Sequence, residues 1–210
     1  MFSDVEPETG FFQYIDECER AVPHHAWEQF RPLDVGADLD HLARWLQSIL
    51  ETEPPPPAVN GLWFGISDPF VGASRRVIGY ELYLCGSTHF SPADRVFDWA
   101  VDPEYMPERR YARSNIFHLL GTIASQHQMP SQLADNAVPL AYAGVVVNWL
   151  ARREWKRIVG VGEFRAIAVG HDEGDGFLLG VADRNGYHPS DARATLEDLK
   201  RRIQRIGSES

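Results

Sequence analysis

The apolar positions along the chain change period several times, and each change marks an element. Phe11, Ile15 and Cys18 fall on one face at helical spacing, which predicts a first helix near the N-terminus. Pro23 suits the first turn of a short helix carrying Trp27 and Phe30, because proline's missing N–H is not needed there. After Gly36, the residues Leu39, Leu42, Ala43, Leu46, Ile49 and Leu50 form an apolar stripe, and Asp38 stands where it can cap that helix by accepting from backbone N–H groups. Pro54 to Pro57 donate no backbone hydrogen bonds and predict an extended spacer, a hinge between helices and sheet.

Beyond the prolines the period shortens to two. Val59 to Ile66, with Trp63 and Phe64, reads as a strand, and SDPFVGAS supplies turn chemistry. In the next strand Ile78, Tyr80, Leu82 and Leu84 alternate with Val77, Gly79, Glu81, Tyr83 and Cys85, so one face is buried and the pair forms an antiparallel hairpin. Gly86, Ser87 and Pro92 end it, and the stretch to Arg110 reads as loop. Helical spacing returns from about Ser114, with Ile116, Leu119, Leu120 and Ile123 on the core face and Met129-Pro130 at the end. A second, nearly all-apolar helix starts at Pro139 and runs through Trp149; its valines, Val145 to Val147, also suit a strand.

After the basic break RREWKR, Val161 to Gly170 and Gly176 to Ala182 read as two more strands joined at HDEGDG, which carries the Asp-Gly signal of a tight turn. A final helix opens near Ser190 or Asp191 and turns Leu196, Leu199, Ile203 and Ile206 inward. Together these elements predict an α+β fold: an antiparallel sheet of two hairpins packed with helices, plus an N-terminal helical block. The expected division is residues 1–53 for that block, 54–58 for the Pro-rich linker and 59–210 for the α+β domain, together one compact unit.

Charge sharpens this picture. The net charge of −10 is uneven: residues 1–60 carry 12 acidic and 3 basic side chains, or −9, whereas residues 151–210 carry 10 and 11, or +1. Such a field opposes nucleic acid and anionic membranes and favours a basic partner, although it also serves solubility. No run reaches the roughly 20 apolar residues of a membrane span and no secretory leader pattern opens the chain, so the expected location is cytoplasmic. Two cysteines, Cys18 and Cys85, make neither a disulfide framework nor a cysteine zinc site.

Candidate chemistry is sparse. His24-His25 adjoin a proline and should point apart on a helix; His118 and His127 lack the spacing of an HExxH site. HDEGDG is too short for a calcium loop. Cys85 with His89 has the composition of a nucleophile and base, but a small buried hydrophobe is the better reading of that cysteine. Asp98 and Asp102 are paired carboxylates in a loop that holds carboxylates at every spacing. The glycines form neither a phosphate loop nor a dinucleotide fingerprint, and there is no GxSxG elbow. No cofactor or metal is therefore expected.

What stands out is the segment after the second strand, where Phe90, Phe97, Trp99 and Tyr105 sit among Asp94, Asp98, Asp102, Glu104 and Glu108. Rings as anchors with acids as steering charge suit a surface for a basic protein, and the partner-binding set read from it is Asp98, Trp99, Asp102, Glu104 and Tyr105. The competing reading folds Trp99 or Phe97 inward over the sheet.

GLWFGI, YELYLCGSTHF and DWA, with fainter support from GFLLGVAD, resemble the immunity proteins encoded beside bacterial polymorphic toxins. The resemblance covers about residues 61–100; its spacer, ADRVFDWA, is less acidic than the family pattern, and the N-terminal helices have no counterpart in it. It implies a non-enzymatic cytoplasmic antidote that occludes a toxin domain. The rival expectations are a small hydrolase using His89, His118 or Asp98 in a cleft between sheet and helices, and an oligomerisation or scaffold module.

Overall fold

The computed structural model describes residues 5–67, 79–91, 97–127, 129, 136–172 and 176–190. The turn expected over SDPFVGAS beyond Ser67, the start of the second strand at Val77-Ile78, Asp94, the tip of the Asp-Gly turn and the final helix lie outside them.

The fold is α+β. Helices α1 (Pro7–Ala21) and α2 (Val35–Thr52) precede strands β1 (Gly61–Ser67) and β2 (Glu81–Ser87). A two-residue strand β3 (Tyr111–Ala112), helices α3 (Asn115–His127) and α4 (Val138–Val159), and strands β4 (Phe164–His171), β5 (Gly176–Asp183) and β6 (Gly186–Pro189) follow. The sheet has six strands in the order β3-β2-β1-β4-β5-β6. Both expected pairs, β1 with β2 and β4 with β5, are antiparallel, and they meet through a parallel pairing of β1 with β4. The parallel seam follows from the intervening helices, which carry the chain from one hairpin back to the same end of the sheet.

Period two sorts the sheet residues. Leu62, Phe64, Ile66, Leu82, Leu84, Ile167 and Val169 face a large core shared with the helices, and Phe11, Trp27, Leu42, Leu46 and Val146 belong to the same core. Trp63 stands opposite Cys85 on one side and Ala168 on the other, on the second face.

Several helix details differ from the sequence reading. Helix α2 begins one turn earlier than expected because Asp34, not Asp38, caps it: Ala37 N donates to Asp34 Oδ1 at 3.0 Å. Asp38 turns inward, 5% exposed, and accepts from Ser114 Oγ at 2.7 Å, Asn115 N at 3.0 Å and Tyr142 OH at 2.8 Å. Pro23 lies outside the short 3-10 helix His25–Phe30, which His24 caps by accepting from Ala26 N. The rings of His24 and His25 do not diverge; their centroids are 4.4 Å apart, because a capping residue lies outside the helical turn that would separate them. On α3, Leu119 is exposed where the core face was expected to hold it, and Phe117, outside the expected stripe, is fully buried.

Helix α4 does not stop at Trp149. It continues through the basic run to Val159, since Glu154 is buried and neutralised there by Arg157 Nη1 at 2.6 Å, with Gln47 Nε2 donating at 2.7 Å. The valine run is helical, buried against both the sheet and α1. The prolines are held from below: Arg165, 1% exposed, donates from Nη2 to Pro56 O at 3.0 Å and from Nη1 to Phe164 O at 3.1 Å, with a longer contact to Pro57 O. Burial lowers its pKa.

Candidate functional site

The second face of the sheet decides where the aromatic-acidic segment goes. Gly61 leaves a gap on that face: a Cβ there would stand 2.8 Å from both Phe90 Cβ and Trp99 Cζ3. Trp99, in a short 3-10 turn at Asp98–Ala100, fills the gap and meets Trp63 edge to face at 6.1 Å and Phe90 at 5.5 Å. Phe97 packs on Trp63 at 5.2 Å. Phe90 is itself pinned, with its N donating to Asn60 Oδ1 at 3.0 Å and its carbonyl accepting from Asn60 Nδ2.

Past Ala100 the chain returns to the sheet edge. Tyr105 and Gly86 exchange both backbone hydrogen bonds, at 2.9 and 3.0 Å, and the Tyr105 hydroxyl donates to Glu53 O at 2.7 Å. Glu104 accepts from Thr88 N at 2.9 Å and meets His89 Nε2 at 2.8 Å; the Thr88 N–H, first among several partners, holds its carboxyl below the usual range. Further along, Glu108 N donates to the Glu53 carboxylate and Trp45 Nε1 to Arg109 O. These bonds fasten the segment at both ends and in the middle.

The five residues read as a partner-binding set thus separate by depth. Trp99 and Tyr105 are buried, their rings packed within this chain, while Asp98, Asp102 and Glu104 are exposed. The apolar side chains that do reach solvent here are ones the sequence did not single out: Val101, 73% exposed, and Met106, 58% exposed. Spacing alone carries no signal for them, since Val101 follows buried Trp99 and half-buried Ala100, and Met106 adjoins a buried tyrosine.

The residues considered for catalysis lie on different elements. His89 follows β2 and is engaged with Glu104, His118 is on α3 beside Gly79, and Asp98 opens the 3-10 turn; among the described residues no hydrogen bond or ion pair joins any two of them. Burial pushes the Cys85 thiol up to about 12, with the Asp172 charge adding to the shift, so the sulfur stays protonated at neutral pH. Among the described residues no group of three or more His, Cys, Asp or Glu side chains is arranged to hold a metal ion. None of the helices searched among them is long and apolar enough to cross a membrane.

Comparison with protein-family models, curated proteins and solved structures finds no match to this chain.

Proposed function

We propose that this chain is a non-enzymatic bacterial immunity protein that binds and neutralises a toxin domain bearing a basic surface. The observation that carries the reading is a fastened loop on which exposed Val101 and Met106 lie in sequence among the exposed carboxylates Asp98, Asp102 and Glu104. Trp99 and Tyr105 serve this surface from beneath by fixing the loop's shape, so little ordering entropy remains to be lost when a partner docks. The carboxylates steer a basic partner, and the two apolar side chains supply contact area at the centre. The strand sequences GLWFGI and YELYLCGSTHF, whose resemblance to immunity proteins motivates the assignment, build the sheet on which this loop rests.

The test is co-expression with the C-terminal domain of a secreted toxin encoded beside this chain. The reading expects growth rescue and a co-purifying complex that the substitutions Val101→Asp and Met106→Asp disrupt. Rescue without a complex, or a complex indifferent to the loop, would count against it.

A further inference from the structure

Asn60-Gly61 and Asn185-Gly186 are the same dipeptide, and the fold treats the two pairs in opposite ways. In such a pair the glycine nitrogen meets no side chain of its own when it turns on the preceding carboxamide. The first pair is locked. Asn60 Nδ2 donates to Phe90 O at 3.2 Å and Asn60 Oδ1 accepts from Phe90 N at 3.0 Å, so both ends of the carboxamide are held, and Gly61 is buried beneath Phe90 and Trp99. The second pair is open. Asn185 is exposed in the tight turn between β5 and β6, where Asp183 pairs with Gly186, and among the described residues its carboxamide makes no hydrogen bond. Apart from its chain neighbours, no atom lies within 4 Å of where a Cβ on Gly186 would stand.

Asp183 adds a base to this turn. Its Oδ1 accepts from Asn185 N at 2.7 Å and from Gly186 N at 3.1 Å, and His188 Nε2 lies 3.1 Å from the same oxygen. These partners, the Asn185 N–H first, hold the Asp183 carboxyl below its usual range, so it is a carboxylate at neutral pH. The Gly186 proton therefore points at a charged acceptor within hydrogen-bond reach.

We propose that Asn185 is a self-modifying site, converted to aspartate and isoaspartate through a succinimide closed by its own neighbour. The Gly186 nitrogen attacks Asn185 Cγ while its proton passes to Asp183 Oδ1, an intramolecular step that needs no outside enzyme. The Cγ–Nδ2 bond then breaks, and Nδ2 takes up that proton and leaves as ammonia. Water opens the ring. Cleavage of the new N–Cγ bond gives aspartate, whereas cleavage of the original peptide C–N bond gives isoaspartate. Either product adds a negative charge beside Asp183, and isoaspartate also inserts a methylene into the main chain of the turn. The edge strand β6, tied to α4 by Tyr187 OH donating to Asn148 Oδ1 at 3.0 Å, is the element this change disturbs.

Peptide mapping by mass spectrometry, after the purified full chain has stood for days at neutral pH, tests the proposal. Isoaspartate and aspartate are expected to accumulate together at position 185, while Asn60 stays unconverted in the folded protein and converts once the chain is held in urea. Asp183→Asn keeps an acceptor at the turn but removes the base, and should slow conversion of Asn185 about tenfold or more. Circular dichroism identifies a variant that fails to fold, and the comparison of the two Asn-Gly pairs in the wild type stands without any variant. An Asn185 that survives as well as Asn60 in the folded chain overturns the proposal. Aspartate without isoaspartate also overturns it, because direct hydrolysis of the carboxamide forms no succinimide. Conversion in folded Asp183→Asn as fast as in the wild type, or faster, would show that the carboxylate shields the Gly186 N–H and would overturn its role as the base.

Discussion

The Tyr142 hydroxyl donates a 2.8 Å hydrogen bond to Oδ2 of Asp38, joining α4 to α2 across 104 positions of sequence. The same carboxylate takes the Ser114 hydroxyl and the Asn115 N–H, so one buried acid sets the start of α3 and the spacing of three helices. Burying a carboxylate is costly unless its lone pairs are filled, and here three donors fill them. Tyr142→Phe removes one of them and is expected to lower stability by about 1.5–3 kcal/mol in urea denaturation. Asp38→Ala, which strands all three donors, should cost more; equal losses would show that the carboxylate is not the hub.

Burial also sets the alkaline limit of the fold. Desolvation raises the phenols of Tyr105, Tyr142 and Tyr187 above their ordinary range, with the nearby Asp38 charge adding to the shift at Tyr142. In each case the folded pKa exceeds the unfolded one. The stabilisation is therefore complete below the unfolded phenol pKa of about 10 and is lost as pH rises from there toward the folded values. Denaturation midpoints should hold from about pH 8 to the unfolded phenol pKa and then fall steadily; a flat profile to higher pH would contradict the burial of these hydroxyls. The thiols of Cys18 and Cys85, both pushed up to about 12 by burial, should react with a thiol reagent only as fast as the protein opens.

Trp99 separates support from contact. Trp99→Ala removes the indole that covers Trp63 and Phe90, and is expected to cost about 3–5 kcal/mol of stability. Trp99→Phe keeps a ring in place and should leave partner affinity nearly unchanged. Gly61→Ala should act like a loop mutation although it lies in β1, because its methyl would displace Trp99 and Phe90. Loss of affinity in Trp99→Phe at unchanged stability would instead make the indole a direct contact.

The α+β class, both hairpins and the interior stripe of α2 were legible because periods of two and 3.6 are written in the positions of Leu, Ile and Phe. The parallel seam between β1 and β4 was not, since pairing across more than 90 residues leaves no local mark. Asp38 was misread for a related reason: Asp34 and Asp38 are equivalent as caps until Ser114 and Tyr142 are brought to the second of them. The basic run after Trp149 looked like a break because the buried Glu154 that it neutralises reads as one more surface charge. At the loop, sequence located the segment and its carboxylates, but which ring turns inward depends on the gap above Gly61, a property of the folded sheet.

The most direct measurement is the association rate of this chain with the purified toxin domain as a function of ionic strength, for the wild type and for D98K/D102K/E104K. The account predicts fast, salt-sensitive association for the wild type, and markedly slower association with a shallower salt dependence once the three charges are reversed. Identical rates and salt slopes for the two proteins would contradict the claim that this loop is where the partner is met.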